Sequence, residues 1–282
     1  MTGSSEIKTH KAQEAINVRE CVTFDEFDAC MKLQREAFSL PEVEVSPRRH
    51  FIVTRATGGF TLGAFRGRAL VGFVHQLVGV RSGNNREREI IGYSHMMAVS
   101  PDEQNSGIGA RLKWAQRERS LKEGIQFIRW TWDPMQARNA HFNLNRLGVV
   151  VRSYAPNFYG TDYNDHDHQP SEETIGIDSD RLVAEWNLRS PRVEALARLH
   201  QARITGDSED RVDESLIIMK SSVSATVRIP ANWSALLRED RGAARSEHTR
   251  VRAEFETALA SGLVCATFER DSMQYVFYSD ES

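Results

Sequence analysis

The sequence predicts an α/β (α+β) protein with a mixed, mostly antiparallel sheet flanked by helices, followed by a smaller C-terminal α+β unit. Three observations predict this class: period-two strand patterns follow one another from Phe60 to Val99, an amphipathic helix then separates two strand patterns, and the patterns restart after about Pro191. The 282 residues, 40% of them apolar, suffice for a substantial core. We divide the chain into a flexible N-terminus (1–11), a main domain (12–190) and a C-terminal extension (191–282).

The chain begins with a predicted strand and one or two helices. Glu14–Val22 alternates like a strand, and apolar residues then recur at helical spacing over Phe24–Phe38. Thr23 and Glu26 form a capping-box pattern at the start of that helix. Ser46 is the predicted N-cap of a short second helix.

An antiparallel meander comes next. Phe60–Phe65 and Ala69–Val80 are predicted strands joined by a turn at Gly67, and Ile90–Val99 follows the polar turn at Arg81–Arg88.

The crossover that follows makes the sheet mixed. A helix over Gly107–Lys122 leads to a strand at Gln126–Trp132, a helix at Asn139–Leu147 and strands at Val149–Tyr154 and Leu182–Leu188. Because a strand, a helix and another strand in succession imply a parallel crossover, the sheet cannot be purely antiparallel.

The C-terminal extension repeats the mixture of elements. It reads as a strand at Ala225–Ile229, helical sequence over Asn232–Ser261 interrupted at Gly242, and a hairpin at Leu263–Tyr278. Both an independent fold and an extension packed on the main domain fit this pattern.

Composition narrows the class of function. Lys and Arg total 36 against 39 Asp and Glu, which does not favour nucleic acid or an anionic membrane as partner. The start of the chain has no apolar signal-peptide core, and no apolar run approaches the roughly 20 residues that span a bilayer, so we expect a cytoplasmic protein. Three cysteines, at 21, 30 and 265, are expected to be reduced and to pack.

The segment Gln104–Ala110, here called the glycine loop, lies between an apolar strand and an amphipathic helix. Its two glycines allow close backbone approach, and the unpaired N–H groups of a helix start favour anionic oxygens such as those of a pyrophosphate. A Walker loop needs Gly-Lys-Ser/Thr, and a dinucleotide fingerprint needs a third small residue where this chain has Leu112. The loop is therefore a candidate anion site of another kind.

The glycine loop resembles the Gln/Arg-x-x-Gly-x-Gly/Ala signature of the GNAT superfamily of acyl-CoA N-acyltransferases. The resemblance covers roughly Ala15–Leu188 and includes the order of elements, so it implies a GNAT-like main domain. In that family the fourth and fifth strands splay apart around the pantetheine arm of the cofactor. The resemblance implies cofactor contacts by Met97, Ala98, Val99, Gln104, Asn105, Ser106, Gly107, Ile108, Gly109 and Ala110.

A second family element is the helix after the fifth strand, where Asn139 and Asn143 are candidates for contacting the cofactor. Many relatives place a tyrosine general acid where this chain has Leu144, which cannot donate a proton. The resemblance therefore leaves the usual acid without a counterpart.

Three other residues are candidates for the proton chemistry. His95 lies nine residues before Gln104, a spacing similar to that of a histidine in the arylalkylamine branch of the family, and imidazole titrates near neutral pH. Tyr93 and Tyr159 are candidate donors. The alternatives are a hydrogen-bonded core histidine at 95 and a packing tyrosine at 93.

The resemblance implies an N-acetyltransferase that moves an acetyl group from acetyl-CoA to a small-molecule amine or amino-acid-like acceptor by direct attack. A CoA-binding or sensing protein without turnover is the alternative that Leu144 supports. We expect no metal, although His166 and His168 have ligand-like spacing in a polar loop. Exposed sheet edges make a homodimer reasonable.

Overall fold

The computed structural model describes residues 15–38, 42–82, 88–161, 176–206 and 222–279. The predicted flexible N-terminus and the pair His166 and His168 lie outside these residues. The chain divides into two compact units: Met1–Val78 with His95–Arg119 form unit one, and Gly79–Ser94 with Ser120–Ser282 form unit two. The predicted division at residues 190 and 191 stays a prediction.

The strands follow the predicted order. They are β1 Ile16–Glu20, β2 Phe60–Arg66, β3 Ala69–Ser82, β4 Arg88–Val99, β5 Phe127–Trp132, β6 Val150–Ala155, β7 Arg181–Asn187, β8 Val223–Arg228, β9 Leu263–Glu269 and β10 Gln274–Ser279.

The helices alternate with them. They are α1 Phe24–Phe38, α2 Arg48–Ala56, α3 Ile108–Lys122, α4 Ala137–His141, α5 Pro191–Thr205, α6 Trp233–Glu239 and α7 Arg241–Ala260. Short 3-10 turns occupy Glu42–Glu44 and Pro101–Glu103, and a π-helical turn over Phe142–Arg146 continues α4. In the described residues, no helix is both long enough and apolar enough to span a membrane.

Unit one contains strands in the order β1-β2-β3-β4, between two layers of helix; β1 pairs with β2 and β2 with β3, both antiparallel. One apolar cluster contains Phe27 of α1, Phe51 of α2 and Phe73 of β3. A second contains Val74 of β3 and Ile108 of α3. Because Phe73 and Val74 are adjacent on one strand, the two clusters lie on opposite faces of the sheet.

Unit two contains a mixed sheet, in the order β4-β5-β7-β6-β9-β10-β8. Strands β4 and β5 pair in parallel at Gly92 with Ile128 and at Tyr93 with Arg129. From β5 onward in this order, each strand pairs antiparallel with the next. The α/β class and the mixed, mostly antiparallel sheet flanked by helices are thereby confirmed.

The capping box at α1 is confirmed. The Glu26 N–H donates to Thr23 Oγ1 at 3.3 Å, and the Thr23 N–H donates to Glu26 Oε2 at 3.0 Å. Each side chain thus accepts from a backbone donor that the helix itself leaves unpaired.

Two local predictions are wrong. Ser46 does not cap α2: Pro47 is the N-cap residue and makes no side-chain cap, while Ser46 Oγ lies 3.4 Å from His95 Nε2. The C-terminal helices separate at Asp240 instead of Gly242, because extended Asp240 accepts a capping hydrogen bond from the Ala243 N–H and begins α7.

Candidate functional site

The glycine loop is shaped by two residues with left-handed backbone. Asn105 has φ 64° and Gly107 has φ 85°, and together they turn the chain from the 3-10 turn into α3. A glycine tolerates this conformation without the steric cost of a side chain. A Cβ built on Gly107 would have no heavy atom within 4 Å, so the space beside this residue is open.

The N-terminus of α3 is open to a ligand. The Arg111 N–H donates to Gly107 O at 3.1 Å, which leaves the N–H groups of Ile108, Gly109 and Ala110 at the helix end. The Ile108 side chain is buried, whereas Gln104, Asn105, Ser106 and Gly107 are exposed. The helix therefore presents unpaired donors and the positive end of its dipole at an accessible surface.

An ion pair between Arg66 and Glu103 lies next to the start of the glycine loop. Arg66 donates from Nε and Nη2 to the two carboxylate oxygens of Glu103, both at 2.8 Å, and this ion pair lowers the pKa of Glu103. The Ser106 hydroxyl donates to Glu103 O at 2.5 Å. Arg66 thus neutralises a carboxylate that would otherwise repel an anion at the loop.

The predicted cofactor residues of β4 use their side chains for packing. Met97 and Val99 pack against the cluster that contains Ile108, and Ala98 is buried in the opposite cluster. The Ser100 N–H donates to Val71 O at 2.9 Å where the strand ends. What Val99 can offer a ligand is therefore its backbone.

His95 belongs to a histidine cluster with His50 of α2 and His75 of β3. The ring centroids of His50 lie 5.1 Å from His75 and 5.4 Å from His95, and those of His75 and His95 are 6.1 Å apart. Sequence reasoning missed His50 and His75. The signal that could have found His75 is a histidine inside the apolar run Phe73–His75.

Burial keeps the histidine cluster neutral. It lowers the pKa of His75 to about 3, with the neighbouring His50 and His95 adding to the effect, and it lowers the pKa of His50 and of His95. His75 Nδ1 pairs with Thr61 Oγ1 at 2.8 Å, but Nε2 of His75 and Nε2 of His50 are buried without a partner. In a neutral imidazole one ring nitrogen donates a hydrogen bond and the other accepts one, so each of these two rings has an unused donor or acceptor.

A second constellation lies in unit two and contains the other two catalytic candidates. We call Tyr93, Thr131 and Tyr159 the hydroxyl site. Tyr159 Oη lies 3.4 Å from Thr131 Oγ1, and the Tyr93 phenol interacts with both. Burial, followed by the neighbouring Tyr159, raises the pKa of Tyr93 to about 12. The Tyr93 hydroxyl therefore keeps its proton at neutral pH and can donate it in a hydrogen bond.

The Tyr159 side chain is accessible to a ligand, whereas the Tyr154 hydroxyl already donates its hydrogen bond inside the protein. Tyr159 is 40% exposed, and the Arg181 guanidinium lies 5.1 Å from its ring centroid. The Tyr154 hydroxyl donates to the buried Asp180 carboxylate at 2.6 Å, and burial together with this bond raises the pKa of Tyr154. Tyr154 is therefore committed to the interior.

The helix after β5 separates its two asparagines. Asn139 is exposed, whereas Asn143 lies in the π-helical turn and is buried at 4% exposure. Leu144 is fully buried, and its carbonyl accepts a hydrogen bond from Arg192 Nη2 at 3.1 Å. Within the described ranges, no group of three or more His, Cys, Asp or Glu side chains is arranged to hold a metal ion.

Comparison with known families gives the class of protein. Residues 27–148 match the Acetyltransferase (GNAT) family, a span that begins within α1 and includes the glycine loop and α4. This part of the chain is a GNAT-type acetyltransferase domain. A search of curated proteins found no match.

Solved structures of acetyltransferases are similar to this chain at low identity. A structure described as an acetyltransferase of the GNAT family from Desulfovibrio desulfuricans is 14% identical, with a TM-score of 0.48, over 62% of this chain and 99% of the other. The ribosomal-protein-S18-alanine N-acetyltransferase of Escherichia coli is 14% identical over 62% and 94% (TM-score 0.46). The PaiA N-acetyltransferase of Thermoplasma acidophilum, solved with coenzyme A, is 15% identical over 61% and 99% (TM-score 0.43).

Proposed function

We propose that this protein is an N-acetyltransferase that moves an acetyl group from acetyl-CoA to a small-molecule or amino-acid-like amine by direct attack. The family match supports acyl transfer, and the glycine loop supports CoA as the carrier. The observation that carries the proposal is the open N-terminus of α3, where three backbone donors lie beside the open space at Gly107.

The loop fits a pyrophosphate in both shape and charge. Backbone N–H groups and a helix dipole bind anionic oxygens without a basic side chain, which suits a chain with Gln104 in place of arginine. Because Arg66 neutralises Glu103, the loop carries little opposing charge from that residue. Bound acetyl-CoA would supply the activated thioester carbonyl.

His95 is the proposed base. An amine attacks a thioester only as the neutral species, so a proton acceptor is needed. Burial lowers the pKa of His95, which keeps the imidazole neutral at pH 7 and ready to accept a proton. Tyr159 is the proposed donor to the departing thiolate, and Tyr93 is a second donor that supports it.

No covalent intermediate is needed for this mechanism. The three cysteines are buried, and burial raises the pKa of Cys265. A thiol that is buried and protonated is a poor nucleophile. Direct attack by the amine therefore suits the chain better than an acyl-enzyme.

The loop can be tested with a matched pair of glycine variants. Gly107→Ala places a methyl group in the space proposed for the pyrophosphate, so we expect acetyl-CoA affinity, measured by isothermal titration, to fall about tenfold or more. Gly124→Ala is the control, because Gly124 has φ 77° and an equally open Cβ position at the end of α3. Equal effects of the two substitutions would contradict the assignment of the loop.

Leu144 favours one other candidate function, a CoA-binding or sensing protein without turnover. The side chain at this position is apolar and fully buried, so it provides no acid. Acetyl-CoA binding without transfer to any member of a broad amine panel would favour the sensor. Failure of both acetyl-CoA and CoA to bind would reject both functions.

A further inference from the structure

A short acidic segment holds the part of the chain that carries Tyr159. We call Asp178–Asp180 the acidic strip. It accepts hydrogen bonds from the Asn157 N–H at Asp180 Oδ1 (2.9 Å), from the Tyr159 N–H at Ser179 Oγ (2.7 Å) and from the Thr161 hydroxyl at Asp178 Oδ1 (3.1 Å). The backbone at residues 157 and 159 and the side chain of Thr161 are thereby bonded to one strip.

Arg252 of α7 forms hydrogen-bonded ion pairs with the two aspartates of the same strip. Its Nε donates to Asp180 Oδ2 at 2.7 Å, and its Nη2 donates to Asp180 Oδ1 at 2.6 Å and to Asp178 Oδ2 at 2.7 Å. A planar guanidinium that joins two carboxylates fixes their relative orientation and compensates their charge. The Nε2 atom of His248 is also near Asp180, at 3.5 Å from Oδ2.

Helix α7, which carries Arg252, is packed into the core of unit two. Its residues Val251 and Phe255 are buried at 1% and 0% exposure. The Phe255 ring centroid lies 5.6 Å from that of Tyr154 and 4.9 Å from that of Tyr275. Arg252 therefore projects from a packed helix, and its side chain is only 26% exposed.

Contacts of the side chain and of the backbone both restrain Tyr159. Its hydroxyl lies 3.4 Å from Thr131 Oγ1 and interacts with the Tyr93 phenol, and its ring contacts Phe158 and Arg181. The backbone that carries this 40% exposed residue is bonded to the acidic strip, so a shift of that backbone would move the hydroxyl relative to Tyr93 and Thr131.

We propose that Arg252, in the C-terminal extension, is a positioning residue for Tyr159 and so for proton donation at the hydroxyl site. The assignment of a donor role to Tyr159 rests on the proposed function, whereas the coupling between Arg252 and residues 157–161 does not. Arg252 thus contributes to the hydroxyl site through an ion pair, without contacting the hydroxyl groups of that site.

Hydrogen exchange tests the coupling without any turnover. In Arg252→Gln, we expect the amides of residues 157–159 to exchange about tenfold faster or more, because their acceptors on the strip lose their orientation. Arg250→Gln is the matched control: Arg250 is on the same helix and pairs with Glu247 and Glu254, away from the strip. Equal exchange of these amides in the two variants would overturn the proposal.

Kinetics tests the consequence. We expect Arg252→Gln to lower kcat about tenfold or more at an unchanged KM for acetyl-CoA, and to cause no further loss in a Tyr159→Phe background. Losses that multiply in the double variant would overturn a role through Tyr159. If the unmodified protein transfers no acetyl group, the proposed function fails while the exchange experiment still decides the coupling.

A milder variant covers the case in which Arg252→Gln does not fold. Asp178→Asn weakens the contacts with Arg252 and Thr161 but leaves Asp180 paired. We expect it to accelerate the same amides by a smaller factor. If Asp178→Asn loses the hydrogen bond to Thr161 and the same amides still exchange at the unmodified rate, the acidic strip does not restrain the backbone around Tyr159.

Discussion

The histidine cluster of unit one and the acidic strip of unit two both contain buried titratable groups, but they differ in whether an opposite charge lies beside those groups. In the histidine cluster, His75 is fully buried with one ring nitrogen bonded to Thr61 and the other unpartnered. In the acidic strip, the fully buried Asp180 carboxylate accepts from Tyr154, Asn157 and Arg252. The surroundings of His75 therefore disfavour the charged imidazolium, whereas Arg252 balances the negative charge of Asp180.

This difference separates two kinds of functional group. A histidine that is buried without an opposite charge nearby has a lowered pKa and is the neutral imidazole at pH 7. A charged group that is buried within a network holds its neighbours in place. We therefore expect the histidine cluster to act in chemistry and the acidic strip to act in positioning.

The largest expected effect tests the chemical role. Substituting His95→Gln removes the proposed base, so kcat/KM for amine acetylation should fall by about 10²-fold or more. The rate of the unmodified protein should rise with pH through the lowered pKa of His95, below 6.5, and the variant should lose that limb. His200→Gln, on α5, is the control, and an equal fall in both variants would reject a specific role for His95.

The second prediction tests the compensated charge. Asp180→Asn leaves the Arg252 guanidinium without its main partner, so the free energy of unfolding should fall by about 3 kcal/mol in urea titration. Asp178→Asn should cost no more than about 1 kcal/mol, because the Asp178 side chain is 32% exposed. Similar losses would show that burial does not distinguish the two carboxylates.

The third prediction tests whether burial disfavours the charged form of His75. His75 has a pKa of about 3 in the folded protein against an ordinary 6.5, so the unfolded chain takes up a proton first as the pH falls. Its contribution to stability is complete above pH 6.5 and is lost as the pH falls toward 3. Between pH 6 and pH 4 this amounts to about 2.5 kcal/mol, which His75→Gln should abolish.

Thr61→Val serves as the control for that experiment. It removes the partner of His75 Nδ1 and should lower stability at every pH while the dependence on pH remains. A pH slope in His75→Gln equal to that of the unmodified protein would contradict the excluded charge.

The smallest effect concerns the rim of the histidine cluster. Ser46→Ala removes a contact of 3.4 Å to His95 Nε2, which is long for a hydrogen bond. We expect the free energy of unfolding to change by less than about 0.5 kcal/mol and kcat by less than about threefold. A loss near that of His95→Gln would mean that Ser46 orients the base.

Much of the fold followed from local patterns. The helix Phe24–Phe38 and its capping box depend on residues three or four positions apart, so the sequence was sufficient to predict them. Ser46 and Gly242 were misread because proline and aspartate competed for the same helix starts. The π-helical turn over Phe142–Arg146 has no local signature that distinguishes it from α-helix.

The glycine loop was determined by the sequence itself, because left-handed backbone at Gly107 and a helix start at Ile108 are local properties of the chain. Only the tertiary structure decided which side chains surround the candidates for catalysis. His50, His75 and His95 come from three separate elements, and Arg252 lies 93 residues beyond Tyr159 along the chain. The physical reason is that burial and charge pairing, which set proton affinity and position, depend on neighbours in space rather than in sequence.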